Sequence, residues 1–132
     1  MLAVLGLFAC AACGGGGELN ADALTKQAEA LQSVAAEGAM LGRDAGAGKT
    51  TDIFTREHAD ELYKTASKEE ASLRSATTEP SLEPKLRRLT AAARKTSAAL
   101  KALGDARENQ QRRLGARLAR TADEIEQIAG GS

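Results

Sequence analysis

Three places in this chain hold residue types that do chemistry elsewhere. Gly48-Lys49-Thr50 ends like a phosphate-binding loop, in which backbone amides cradle phosphates and a Lys reaches their charge. That loop needs a Gly five positions before Gly48, and Arg43 stands there; Gly42 falls one residue early and Gly46 three late. The segment in front reads as an amphipathic helix rather than the buried strand the loop grows from, so Gly42, Gly46 and Gly48 are expected to end one helix in a turn, and no nucleotide is expected as a ligand. His58, the single histidine, lies three residues before Glu61 and one after Glu57. Di-metal sites in helical bundles take Glu-x-x-His from each of two helices, whereas this chain has the reverse order once. His58 is expected at the edge of the core, bonded to a carboxylate or carbonyl; a metal or small-ligand site in the inter-helix space near it is the alternative. Ser67, Ser72 and Ser97 sit in helical patterns with no paired His, so no catalytic residue, cofactor or enzymatic activity is assigned. The only aromatics are Phe8, Phe54 and Tyr63, too few to stack bases, and nucleic acid is not expected as a partner.

The third place is the pair Cys10 and Cys13, at the end of the uninterrupted apolar run MLAVLGLFACAAC. With no other cysteine, neither a disulfide framework nor a cysteine zinc site can be built. The run is shorter than the roughly 20 residues that span a bilayer and has the length of a secretory h-region. Its end resembles the lipobox of bacterial lipoproteins: a Leu-like residue, two small residues, then the cysteine that receives the lipid. Two registers compete. Cys10 follows Leu7, Phe8 and Ala9, with a bulky Phe at a small position; Cys13 follows Cys10, Ala11 and Ala12, with Cys at the Leu position. Cys13 is favoured, because it leaves the longer apolar run and because Gly14 to Gly17 follow at once. Ordinary secretion with cleavage after Ala9-Cys10-Ala11, and a retained apolar segment, are the other possibilities. The resemblance implies a signal segment over 1–12, a lipidated (palmitate-type) Cys13 with a tether over 13–19, and a membrane-anchored domain on the extracytoplasmic face of a bacterial cell envelope. Four glycines reach about 11 Å, from about 5–6 Å times the square root of their number.

The elements behind the tether follow from composition. Ala, Leu, Glu, Lys, Arg and Gln dominate, and the residues that fill pleated sheets are scarce. An all-α domain over 20–129 is expected, with a tail at 130–132. Asn20 caps a first helix to Arg43, with Leu24, Ala28, Leu31, Val34/Ala35, Gly38 and Leu41 on one face and Gly38 allowing a neighbour to approach. Thr51 caps a second to about Ala76, carrying Phe54, His58, Leu62, Ala66, Glu69 and Leu73. Pro80 and Pro84 interrupt the chain before a third helix with Leu86, Leu89, Ala93, Leu100 and Leu103. Gly104 stops it, Asp105 with Glu108 reads as a capping box, and a fourth helix carries Leu114, Leu118, Ala122, Ile125 and Ile128. A seven-residue phase from Leu86 to Ile128 also admits one helix of about 68 Å. The lack of a large apolar residue between Leu103 and Leu114 favours a hairpin instead. Short connections then give an antiparallel up-down-up-down four-helix bundle. Its few large apolar side chains contribute roughly 1.5–3 kcal/mol each against about 1–2 kcal/mol of backbone ordering per residue, which argues against a large internal cavity.

Charge is balanced overall, 18 basic against 18 acidic, but divided along the chain. Glu18 to Glu83 holds 13 acidic and 7 basic residues, net −6; Pro84 to Ser132 holds 5 and 11, net +6. Either the two helix pairs complement each other, or Arg87, Arg88, Arg94, Lys95, Arg112, Arg113, Arg117 and Arg120 form a surface for anionic lipid or polymer. The expected protein is a lipid-anchored, non-enzymatic interaction or structural module. Its expected partners are the membrane and an unidentified envelope protein or anionic polymer.

Overall fold

The computed structural model describes residues 17–131; the expected signal segment, Cys10, Cys13 and most of the expected tether lie outside the described residues. Four helices follow a two-residue strand: β1 (Glu18–Leu19), α1 (Ala21–Gly46), α2 (Asp52–Ser75), β2 (Thr77–Thr78), α3 (Glu83–Asp105) and α4 (Glu108–Gly130). The caps that open the first two helices are those the sequence expects. Asn20 Oδ1 accepts from the Ala23 N–H at 2.8 Å and Thr51 Oγ1 from the Phe54 N–H at 3.1 Å, each satisfying a donor that the first helical turn cannot.

Residue pairs fix the helix directions. Gly38 faces Leu118 and Gly42 faces Gly115, so α1 and α4 run in opposite senses. Gln27–Ser72 and Glu37–His58 do the same for α1 and α2, as do Gly104–Ala59 and Glu70–Arg94 for α2 and α3. The result is an all-α four-helix bundle. α3 and α4 are two helices, not one: the chain turns at Ala106 and Arg107, both extended. The core forms two clusters. One, around Leu24, Leu31, Leu73, Leu89 and Ile125, lies at the end where β1 leads into α1; the other, around Leu41, Leu62, Leu100, Leu103 and Leu118, lies at the far end.

Several expectations are corrected. Gly42 does not end α1 but lies inside it; Gly46 is the helix's last residue, both are buried against α4, and Gly48, at φ 72°, makes the turn. A glycine marks a helix stop or a close contact equally well, and here α4 decides. Gly38 does admit close neighbours, the Leu100 and Leu118 side chains, and the helix backbones meet one turn later, at Gly42 and Gly115. Gly104 is likewise helical. The Asp105/Glu108 box is replaced by Arg107 at the cap position, whose N–H donates to Gln110 Oε1 at 3.4 Å. In α2 the buried stripe is Thr55, Ala59, Leu62, Ala66 and Leu73, which leaves Phe54 half exposed: the inner face is set by packing on α3, where Ala59 meets Gly104.

One small sheet joins the helices. β1 and β2 pair in parallel, Glu18 with Thr77 and Leu19 with Thr78. Parallel pairing follows from topology, because these segments feed α1 and α3, which run in the same sense. Leu19 packs on the Leu24–Leu31–Leu73 cluster, so the chain enters α1 from a fixed position at one end of the bundle.

Candidate functional site

The charged surface is the most developed feature. α4 places Arg113, Arg117 and Arg120 four and three residues apart, hence on one face, and all three are exposed. Arg88 and Lys95, seven apart on α3, share a face in the same way. Lys95 Nζ reaches Glu124 on α4 at 3.3 Å, which brings that face beside the arginine row. Arg113, Arg117, Arg120, Arg87 and Arg88 have no carboxylate within 4.0 Å among the described residues.

The eight basic residues do not form one surface. Arg94 turns toward α2, its Nε 4.0 Å from Glu70, and Arg87, seven residues before it, shares that side. Arg112 turns toward α1: its Nε donates to the Gly46 carbonyl at 3.0 Å and its Nη2 to Glu108 at 3.3 Å. Five residues remain around the α3–α4 seam. Ion pairing also does little to join the acidic and basic halves. Glu70–Arg94, at the limit of 4.0 Å, is the single acid–base side-chain pair between α1–α2 and α3–α4 among the described residues. Arg113, Arg117 and Arg120 of α4 are therefore directed at solvent.

His58 occupies the edge of the core. Its Nε2 lies 3.0 Å from Glu37 Oε1 on α1, and its ring stacks on Phe54 with centroids 5.5 Å apart. The partner is Glu37 rather than Glu57 or Glu61, a contact that only the α1–α2 register reveals. Among the described residues, no three His, Cys, Asp or Glu side chains are grouped to hold a metal ion.

The Gly48 and Lys49 amides are already committed. Gly48 N–H donates to the Ala45 carbonyl at 3.0 Å and Lys49 N–H to the Asp44 carbonyl at 2.8 Å, closing the end of α1. Thr50 Oγ1 pairs with Thr55 Oγ1 at 2.8 Å. A phosphate would have to displace these bonds. The open spaces lie at the surface: an Ala-lined groove of about 420 Å³ between α1 and α4, and a polar hollow of about 430 Å³ between the α1–α2 and α3–α4 turns. No described helix is long and apolar enough to cross a membrane.

Glu69 is the titrating group that burial disturbs. Half-buried on α2, its carboxyl is pushed above the usual carboxylate range by lost hydration.

Comparison with known protein families, curated proteins and solved structures finds no match.

Proposed function

We propose that this protein is a lipid-anchored module of the bacterial cell envelope, held on the extracytoplasmic face through Cys13, that acts through its surface rather than by catalysis. The observation that carries the surface reading is the arginine row Arg113, Arg117 and Arg120, exposed and without carboxylate partners among the described residues. Fixed cations that no internal acid neutralises attract anionic headgroups or anionic polymers, at about 1 kcal/mol for each residue held near such a surface.

The anchor reading is supported by the lipobox-like run before Cys13 and by the glycines behind it. Pairing of β1 with β2 adds a mechanical reason for the arrangement. A pull on the tether is borne by a strand packed on the core, so the bundle is held at one end and its sides stay free.

Cell fractionation tests the proposal. Wild-type protein is expected in the membrane fraction, Cys13→Ala released from it, and Cys10→Ala retained. Release by Cys10→Ala with retention of Cys13→Ala would assign the lipid to the other register. A wild-type chain found free in the cytosol would refute the anchor.

A further inference from the structure

The groove between α1 and α4 has a symmetry that the single chain does not use. Its walls are Ala36, Ala39, Ala116 and Ala119, and Met40, 51% exposed, stands in it. Because Gly38 faces Leu118 and Gly42 faces Gly115, Ala36 and Ala119 stand at about the same height on the two helices, and both are exposed. Positions four and seven residues from each lie on the same helix face. On α1, seven residues toward the turn comes Arg43, and seven toward the tether comes Glu29. On α4, seven residues toward the turn comes Arg112, and seven toward the tether comes Glu126. The face is thus basic at one end and acidic at the other, with small and apolar residues at its middle and Gln32 and Asp123 on the acidic side of that middle.

We propose that this groove receives a second copy of the chain, related by a two-fold axis that crosses the helices at the level of Ala36 and Ala119. The rotation sets Arg43 of each copy on Glu29 of the other and Arg112 on Glu126. Alanine meets alanine at the axis, so the helices approach closely, and each Met40 passes over the other copy's Gln32. A parallel pairing sets like charges together, so charge selects the antiparallel arrangement. Glu29 and Glu126 are exposed, with no ion pair among the described residues; Arg43 has only Asp44, 3.9 Å away on its own helix, and Arg112, exposed while bonded to Gly46 and Glu108, adds Glu126 to those partners.

From Glu29 to Arg43 the face is about 21 Å long, and two helices make it roughly 20 Å wide. That area, roughly 400 Å² per copy, is about half of a standard interface, which places the dimer in the weak, transient class. The rotation also leaves both α3–α4 seams on the same side of the pair. The dimer rests on the α1–α4 face alone and stands or falls separately from the anchor.

Sedimentation velocity of the full chain in mild detergent, over a micromolar to millimolar series, tests it. Wild type is expected to shift from monomer to dimer within that range. Arg43→Glu sets two acids together at both symmetric contacts and is expected to weaken the dimer about tenfold. The double variant Glu29→Arg/Arg43→Glu restores opposite charges and is expected to return it to near the wild-type strength. Both variants change exposed residues, and a wild-type-like helical melt confirms their fold. A chain monomeric throughout, a dimer indifferent to Arg43→Glu, or a double variant as weak as the single one would each overturn the proposal.

Discussion

The Cα of Gly115 lies 2.7 Å from the point where a β-carbon on Gly42 would stand, and the Gln111 carbonyl lies 2.9 Å from it. Both obstacles are backbone and cannot swing aside. The contact between α1 and α4 therefore depends on hydrogen at both positions. Gly42→Ala gains roughly 1 kcal/mol of helix propensity but forces the helices apart, at a cost of about 1–3 kcal/mol or more. The expected outcome is a net loss of stability in urea unfolding, and the same for Gly115→Ala, whose β-carbon would meet the Arg43 nitrogen at 3.0 Å.

Gly104 is the opposite case. It is helical, and a β-carbon there would meet only the Ala59 methyl, at 3.9 Å, an ordinary contact. Gly104→Ala is expected to stabilise the bundle by about 0.5–1 kcal/mol, through the backbone entropy removed from the unfolded chain. Measured beside Gly42→Ala, it separates the glycines that serve packing from one that does not.

Glu69 makes stability depend on pH in a direction unusual for a carboxylate. Burial raises its folded pKa above the ordinary value of 4.5, so between 4.5 and the raised value the folded state holds more proton than the unfolded state. Stability from this group is present below that window and is lost as pH rises through it. Glu69→Gln, which carries no charge to desolvate, is expected to be more stable than wild type at neutral pH. The difference should vanish below pH 4.5. Thermal melts at a series of pH values read it directly.

The arginine row sets the affinity for anionic surfaces. With the full chain, Arg113→Gln/Arg117→Gln/Arg120→Gln is expected to lose about a hundredfold in association with phosphatidylglycerol vesicles, from about 1 kcal/mol per residue. Little change is expected on neutral phosphatidylcholine. The difference should shrink as salt is added, since exposed charges are screened within about 10 Å at 0.1 M. Equal binding by both proteins to both vesicles, at any salt, would remove the row from the account.

What the sequence made legible was local or periodic. Asn20 and Thr51 identify themselves as caps because the acceptor and the donor it serves lie three residues apart. Leu24, Leu31, Leu100 and Leu118 identify their helix faces by spacing alone, and the four-helix count follows. What stayed hidden depends on a second helix. Gly42 reads as a helix end because nothing near it reports Gly115 on α4, and Gly46, which does end α1, gives no sign of Arg112 packed on it, although glycines at 38, 42 and 46 recur every four residues and carry that signal. Spacing in α2 admits a stripe through Phe54, whereas packing on α3 selects Thr55 and Ala59. Glu37 as the partner of His58 needed the register of α1 on α2. Of the eight basic residues, sequence gave the charge, but only helix orientation divided the α3–α4 seam from Arg87, Arg94 and Arg112.

Intact-mass spectrometry of the native protein extracted from bacterial membranes bears most directly on the anchored-module account. A chain that begins at Cys13 and carries fatty acyl groups on that residue is the expected species. An unacylated chain retaining Met1 to Ala12, recovered from the cytosol, would contradict it.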